Sequence, residues 1–225
     1  IRQLLFAGKQ KEAEALAELQ FMGLKSFDGE RTAWLENVKS LKGLPGNPAV
    51  EFYDDSEWKF MNLPTWDGWE QFGFDGLDGA VWLRIGFELP ADWNGKDLSL
   101  DLNRIRDLDY TYVNGKLVGS TDTDKPRLYT IPKENLHPGV NVIAIQVINF
   151  DNKGGVYGYK DTTRHIGVYP VGEAKSLLSL NGEWRYFIQD NDPPPVGAYQ
   201  ASYQPFGDLW LKFDHKEISN YRREL

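Results

Sequence analysis

An Asn-Gly dipeptide at positions 114 and 115 interrupts a stretch of β-forming residues that runs from Tyr110 to Val118. Asparagine and glycine both tolerate the positive φ angles that a type I′ turn requires, and this turn matches the twist of paired strands. The sequence therefore predicts a tight antiparallel hairpin at this point. Any fold of this chain must contain antiparallel β-structure.

Further strand-like segments follow one another on both sides of the hairpin. Ala80–Leu89 is closed by Pro90, and Leu98–Leu102 alternates apolar and polar residues. The remaining predicted strands are Arg127–Ile131, Asn141–Asn149 and Gly182–Ile188. Strands separated by turns at intervals of about 8 to 12 residues, with no helix between them, are typical of an antiparallel sandwich or jelly roll.

The N-terminal segment Ile1–Met22 has a helical pattern, with a break at Gly8 and a predicted end at Gly23. The order helix, glycine, helix also fits a single tetratricopeptide unit, but nothing similar recurs about 34 residues later. The predicted fold class is mainly β, an antiparallel β-sandwich or jelly roll with a short N-terminal helical segment.

Two segments mark the predicted boundaries: Lys42–Pro48, which is rich in proline and glycine, and Asp190–Pro195, which ends in three prolines. They divide the chain into a helical fragment (1–45), a jelly roll (46–190) and a linker with a returning strand (191–225). That last strand is predicted at Asp208–Phe213. Because the chain starts inside a helical pattern, we expect it to be a piece of a larger protein, with any signal peptide outside it.

Composition excludes several classes of function. The 225 residues carry 25 basic and 33 acidic side chains, a net charge of −8, and the basic residues are scattered. Phosphate binding needs a positive patch, so nucleic acid is not an expected partner. Cysteine is absent, which removes thiol nucleophiles and cysteine zinc sites. The apolar stretches are far shorter than the roughly 20 residues of a membrane span.

Motifs at the two ends of the chain form one set. They are Ile1–Phe6, Glu12–Ala17, Phe21–Gly23, Tyr203–Leu209 and Tyr221–Leu225. This set resembles the N-terminal domain of glycoside hydrolase family 95, the α-L-fucosidase type. In that family a short loop separates the two stretches, whereas most of this chain intervenes here.

The intervening motifs form a second set. They are Trp58 with Asn62–Pro64, Asp78–Arg84, Asp107–Gly119, Pro126–Pro132, Gly139–Val147 and Gly154–Gly158. This set resembles the galactose-binding-like jelly roll of family 2 glycosidases, which is also inserted in sialate O-acetylesterases. Together the two resemblances imply a galactose-binding-like domain inserted into a family 95 domain, since a folded domain whose termini are close is easily accommodated in a loop.

The resemblances imply a non-catalytic module of a larger, periplasmic or extracellular glycosidase. The acid and base of family 95 lie on a later helical barrel, and the esterase serine is outside the matched insert. The residues agree, because the chain has no Gly-x-Ser-x-Gly elbow and its three histidines have no metal-ligand spacing. The expected partners are an oligosaccharide or glycan and the rest of the parent chain. A structural insert that buttresses the catalytic domain without binding sugar is the alternative.

Asp107 and Asp109 form a carboxylate pair that can be compared with the pair of a glycosidase. Two residues apart on a strand, they would share one face, and glycoside hydrolysis needs two carboxylates about 5 to 10 Å apart. Alternatively they flank the hairpin and bind backbone amides, as aspartate commonly does near turns.

Sugar binding requires exposed aromatic rings and polar side chains that fix hydroxyl groups. Trp66 and Trp69 lie three residues apart in a loop, and are candidates either for stacking on sugar or for plugging the sandwich end. Trp58 and Trp82 lie in apolar strand contexts and are expected in the core.

The loop from Phe150 to Lys160 supplies further candidates. Gly154 and Gly155 allow close backbone approach, and Tyr157 and Tyr159 offer rings. We expect this loop to meet Arg106 and Asp107 at one end of the sandwich, which completes the carbohydrate-binding set Trp66, Trp69, Arg106, Asp107, Tyr157 and Tyr159. No cofactor is expected; a structural calcium ion is an open alternative, with Asp122, Asp124, Asp151 and Asn152 as its oxygen ligands.

Overall fold

The computed structural model describes residues 2–66, 68–74, 76–122, 125–150, 153–157, 165–191 and 193, without the side chains of residues 2, 5, 17–28 and 157. The chain divides into two compact units, of which one contains the helical segment and the other spans Ser40–Asp192. The predicted returning strand Asp208–Phe213 lies outside the described residues, as does Tyr159.

The helical segment comprises α1 (Arg2–Phe6) and α2 (Gln10–Lys39). The predicted end at Gly23 is wrong, because α2 continues through it. An interior glycine costs a helix only about 1 kcal/mol relative to alanine. Trp34 and Val38, four residues apart on the same face of α2, are both buried, so the helix buries apolar side chains beyond the glycine. Among the described residues, neither helix has the length and apolarity needed to cross a membrane.

The Ser40–Asp192 unit is built from antiparallel strands. Those in the described residues are β1 (Lys59–Leu63), β2 (Gly79–Leu89), β3 (Leu98–Arg106), β4 (Leu108–Val113), β5 (Lys116–Thr121), β6 (Pro126–Ile131), β7 (Gly139–Asn149), β8 (Gly155–Tyr157), β9 (Gly167–Pro170), β10 (Leu178–Ser179) and β11 (Gly182–Asp190). Within that part of the chain they form one six-stranded sheet, β1-β11-β2-β7-β4-β5, and one five-stranded sheet, β10-β9-β3-β6 with β8 also paired to β3. The predicted antiparallel β-sandwich is confirmed.

The Asn-Gly hairpin forms as predicted between β4 and β5. Val113 pairs with Lys116 across the turn. Asn114 has a φ of 47° and Gly115 a φ of 82°, so both turn residues adopt the left-handed region that a type I′ turn requires.

The main core lies between the two sheets. Leu83 and Val81 of β2 contribute to it from the six-stranded sheet, and Leu100 and Leu102 of β3 from the five-stranded sheet. Each of these side chains is fully buried. Because strand side chains alternate between faces, the even-numbered residues of β2 point to the opposite, outer face of the six-stranded sheet.

Residues 40–58, here called the strap, pack on that outer face. Trp58 and Ala49 of the strap join Trp82 of β2 and Ala144 of β7 in a second buried cluster. Trp58 and Trp82 are therefore buried as predicted. They lie outside the sheet sandwich rather than within it.

Arg84 of β2 fixes the strap in place. Its guanidinium is only 3% exposed and donates to the carbonyl oxygens of Pro48, Val50 and Glu51. Its Nε also donates to the Asp55 carboxylate at 2.8 Å. One buried arginine thus satisfies backbone carbonyls of a segment that forms neither helix nor strand.

Candidate functional site

Strand β8 assembles the predicted site at one end of the sandwich. Gly155 of β8 pairs with Arg106 of β3. On the other side of β8, the backbone N–H of Thr65 donates to the Val156 carbonyl at 2.8 Å, and that of Trp69 to the Gly154 carbonyl at 3.0 Å. The loop that carries Trp66 and the end of β3 therefore lie on opposite sides of the same short strand.

Trp66, Arg106 and Asp107 form what we call the loop-end surface. The Trp66 side chain belongs to the exposed hydrophobic residues, with half its surface accessible (50%). The side chains of Arg106 and Asp107 are about one-third exposed, at 36% and 33%. One strand, β8, lies between the backbone segments that carry Trp66 and Arg106.

Asp107 is held in a defined orientation at this surface. Its Oδ2 accepts the backbone N–H of Phe150 at 3.0 Å, and its own N–H donates to the Ile148 carbonyl at 2.9 Å. Its Oδ1 lies 3.5 Å from Nε of Arg106. A carboxylate oxygen accepts more than one hydrogen bond, so Asp107 retains capacity for ligand hydroxyl groups.

Arg127 supports the loop-end surface from inside the molecule. Its Nη2 donates to the backbone carbonyls of Asp107 at 3.1 Å and of Thr121 at 3.1 Å. Its Nε donates to the Asp109 carboxylate at 2.8 Å, and both side chains of this ion pair are fully buried. Since β6 carries Arg127 and β4 carries Asp109, the pair joins the two sheets just behind Asp107.

The sequence contains a signal for this ion pair that the predictions did not use. Ile131 of β6 lies in the core, so Tyr129 and Arg127, at alternate positions, also point inward, while Leu128 is exposed. A strand that turns an arginine inward and a leucine outward indicates a buried partner for the arginine. That partner is Asp109, which lies four residues before the core residue Val113 on β4 and therefore faces inward as well.

Asp107 and Asp109 do not form a glycosidase carboxylate pair. Asp109 is enclosed by Arg127, the Thr111 hydroxyl at 2.7 Å and the Tyr129 hydroxyl at 3.0 Å. Burial raises the pKa of Asp109, although the hydrogen bonds from Arg127 and Thr111 act in the opposite direction. No substrate reaches a carboxylate with no exposed surface. The alternative prediction, that aspartate binds a backbone amide here, is the one that Asp107 fulfils.

The prediction that Trp69 stacks on sugar is wrong, because its side chain is fully buried. Its Nε1 donates to the Leu77 carbonyl at 3.2 Å, and its ring belongs to the main core. A Cβ atom added to Gly154 would lie 2.2 Å from Cζ2 of Trp69, and one added to Gly155 would lie 3.2 Å from Cε3. The two glycines are needed for close packing on this indole, which plugs the end of the sandwich.

The structure describes only the backbone of Tyr157 and no part of Tyr159. The backbone of Tyr157 pairs with Arg104 in β3, which places Tyr157 next to the loop-end surface. Its side chain and the whole of Tyr159 lie outside the described residues. Their contribution to sugar binding stays a prediction.

The calcium alternative falls largely outside the described residues, which include Asp122 but not Asp124, Asp151 or Asn152. Within the part that is described, no three histidine, aspartate or glutamate side chains are grouped so that they could hold a metal ion. The structural calcium ion stays an open alternative.

Comparisons with known proteins find similarity to glycoside hydrolases. No protein-family model matches it. A β-glucuronidase of Formosa agariphila is 29% identical over 134 residues, which cover 53% of this chain. The chain spans only 14% of the length of that relative.

Solved structures with similar regions include β-glucuronidases. β-Glucuronidase 2 of Bacteroides uniformis is 23% identical, with a TM-score of 0.44, over 64% of this chain and 16% of that chain. A β-glucuronidase from glycoside hydrolase family 2 is 27% identical, with a TM-score of 0.38, over 49% of this chain and 13% of that chain. These comparisons give no support to a family 95 parent. The chain is similar to a small part of much longer glycoside hydrolases.

Proposed function

We propose that this chain is a non-catalytic carbohydrate-binding or substrate-positioning module of a larger, exported glycoside hydrolase. The half-exposed Trp66, across β8 from the partly exposed pair Arg106 and Asp107, is the observation that carries the proposal. The similarity to one region of a β-glucuronidase supports the glycoside hydrolase parent. The α-L-fucosidase identity of that parent stays a prediction without such support.

The proposed binding mode assigns one task to each side chain of the loop-end surface. The indole of Trp66 offers a flat apolar face to the C–H bonds of a sugar ring. The Arg106 guanidinium donates hydrogen bonds to ring and hydroxyl oxygens, and the Asp107 carboxylate accepts them from hydroxyl groups. Their 3.5 Å contact keeps the two polar groups side by side, so that adjacent hydroxyls of one sugar can engage both.

Isothermal titration calorimetry tests this proposal. The purified chain is titrated with fucosylated, galactosylated and glucuronic acid-containing oligosaccharides. We expect saturable binding that weakens by about tenfold or more in Trp66→Ala, equivalent to about 1.4 kcal/mol. Trp66→Phe should retain most of it because a ring remains. Phe72→Ala, which removes a partly exposed ring from the adjacent turn, is the matched control.

A structural insert without sugar binding is the competing function, and the burial of Trp69 favours it. One of the two candidate rings is part of the core rather than of a groove. If the folded chain binds none of these glycans up to millimolar concentration, the structural function replaces the proposed one.

A further inference from the structure

A cleft lies on the outer face of the six-stranded sheet, away from the loop-end surface. Its volume is about 310 Å³, at the small end of the range of about 300 to 1,000 Å³ for ligand pockets. All its lining residues belong to the Ser40–Asp192 unit, on the strap and on β1, β11, β2 and β7. We call it the outer-face cleft.

The floor of the outer-face cleft is bare because Gly86 lies there. Gly86 of β2 is exposed and pairs with Val142 of β7, which also lines the cleft. A Cβ atom added to Gly86 would contact Cγ1 of Val140 at 3.1 Å and the Asn141 carbonyl oxygen at 3.9 Å. The backbone φ of Gly86 is not in the left-handed region, so nothing in the backbone itself requires glycine here. A larger residue would fill the space.

An aromatic ring and a guanidinium form one wall. Phe60 of β1 is 53% exposed and pairs with Arg185 of β11, whose guanidinium lies 4.7 Å from the ring centroid. Arg185 also donates to the Asp55 carbonyl at 2.9 Å, which holds the guanidinium at the cleft. The guanidinium thus covers one face of the Phe60 ring, and its N–H donors lie next to the part of the ring that stays exposed.

Carboxylates complete the lining and nearly balance its charge. Asp55 lies between Arg84, at 2.8 Å, and Arg185, at 3.5 Å. Glu51 is 3.0 Å from the His137 ring, and Glu183 is exposed on β11. Three carboxylates against two guanidinium groups disfavour an anion, and the guanidinium groups disfavour a cation. Such a lining suits an uncharged ligand that both donates and accepts hydrogen bonds.

We propose that the outer-face cleft binds one neutral sugar ring, as a site separate from the loop-end surface. The C–H face of the sugar packs on the exposed part of the Phe60 ring, over the bare floor at Gly86. Its hydroxyl groups donate to Glu183 and Glu51 and accept from Arg185. A cleft of about 310 Å³ admits a single ring rather than a chain. This site does not depend on the proposed role of Trp66.

The experiment titrates the full chain with methyl glycosides of glucose, galactose, mannose, xylose and glucuronic acid, monitored by two-dimensional NMR. We expect at least one neutral glycoside to shift the amide signals of β1, β2 and β11 saturably. Methyl glucuronide should bind this cleft more weakly. Gly86→Val should weaken binding by about tenfold or more, since it fills the floor without removing a ligand contact, and Phe60→Ala should weaken it severalfold.

Matched controls separate the cleft from the loop-end surface. Phe52→Ala removes a 91% exposed ring from the strap that does not line the cleft, and should leave binding unchanged. Trp66→Ala should leave the shifts at β1 and β11 intact. If Gly86→Val does not fold, Glu183→Gln replaces it, with an expected severalfold loss.

Three results would overturn the proposal. They are no saturable shift with any neutral glycoside, tighter binding of methyl glucuronide at the cleft, and unchanged binding in folded Gly86→Val. If Trp66→Ala loses all sugar binding and Gly86→Val keeps all of it, the cleft proposal is refuted and the loop-end function stands. If Gly86→Val loses all sugar binding and Trp66→Ala keeps all of it, the loop-end function alone is refuted.

Discussion

Trp66 and Trp69 lie three residues apart in one loop, yet their side chains are in opposite environments, half-exposed and fully buried. Replacing a buried tryptophan with alanine leaves a cavity and costs about 3 to 5 kcal/mol. We therefore expect Trp69→Ala to lower the free energy of unfolding by that amount, measured by urea denaturation.

Trp66→Ala is the matched control, because an exposed substitution of this kind usually changes stability by no more than about 0.5 kcal/mol. Equal effects of the two alanine variants on the urea midpoint would contradict the assignment of Trp69 as the plug.

The ion pair between Arg127 and Asp109 gives a second prediction for single residues. Arg127→Met leaves a buried carboxylate without its partner, which typically costs about 3 to 5 kcal/mol. Thermal and urea unfolding of Arg127→Met should show this loss. Replacing Asp109 as well, in the double variant with Asp109→Leu, should restore much of the stability, since no uncompensated charge remains. A double variant as unstable as Arg127→Met would refute this account.

At the scale of elements, a titratable contact joins the strap to His137, at the end of the sandwich opposite the loop-end surface. Nε2 of His137 lies 3.0 Å from the Glu51 carboxylate, and Nδ1 lies 3.0 Å from the Pro138 carbonyl. The hydrogen bond to the Pro138 carbonyl, followed by the Glu51 charge, raises the pKa of His137 above its usual 6.5. The protonated histidine therefore favours the folded state.

The stabilisation by His137 is fully present below about pH 6.5 and is lost as pH rises through the raised pKa of the folded state. We expect the melting temperature of the native chain to exceed that of His137→Gln by a small margin at about pH 6. The difference should vanish by about pH 9 and shrink in high salt, because His137 is exposed. A difference that grows with pH would contradict this sign.

A strand could be predicted from the sequence where its own residues reveal which of its faces are buried. Long strands such as Ala80–Leu89 and Asn141–Asn149 were found within a residue or two, since burial on both sides gives a continuous apolar run. β1, β8, β9 and β10 were not predicted. β8 has three residues that begin with glycine, and it is held by partners distant in sequence.

The candidate site was predictable to a similar extent. Arg106, Asp107 and the glycine loop meet as expected, because they end strands that are neighbours in the sheet. The burial of Trp69 could not be decided from its sequence, since a tryptophan in a loop suits both a core plug and a sugar platform. The outer-face cleft was missed altogether, because it is formed by the packing of the strap on strands far apart in the chain.

At the scale of the whole molecule, the Ser40–Asp192 unit contains its main core and the strap cluster within its own bounds. We expect a fragment of residues 40–192 to unfold cooperatively, with a melting temperature within about 5 °C of the full chain. Circular dichroism and differential scanning calorimetry would measure both. A broad, non-cooperative transition of the fragment would show that the unit needs the remainder of the chain.

The distribution of tryptophan burial gives that fragment a built-in optical probe. Its six tryptophans are all described, and five of them are buried: Trp58, Trp69, Trp82, Trp93 and Trp184. Acrylamide in the solvent collides efficiently with exposed indoles only, so the quenchable emission of the fragment should arise from Trp66. A ligand that covers the loop-end surface should shield this emission, whereas one confined to the outer-face cleft should leave it quenchable. A single quenching curve could thus report which face of the sandwich is occupied, without any label.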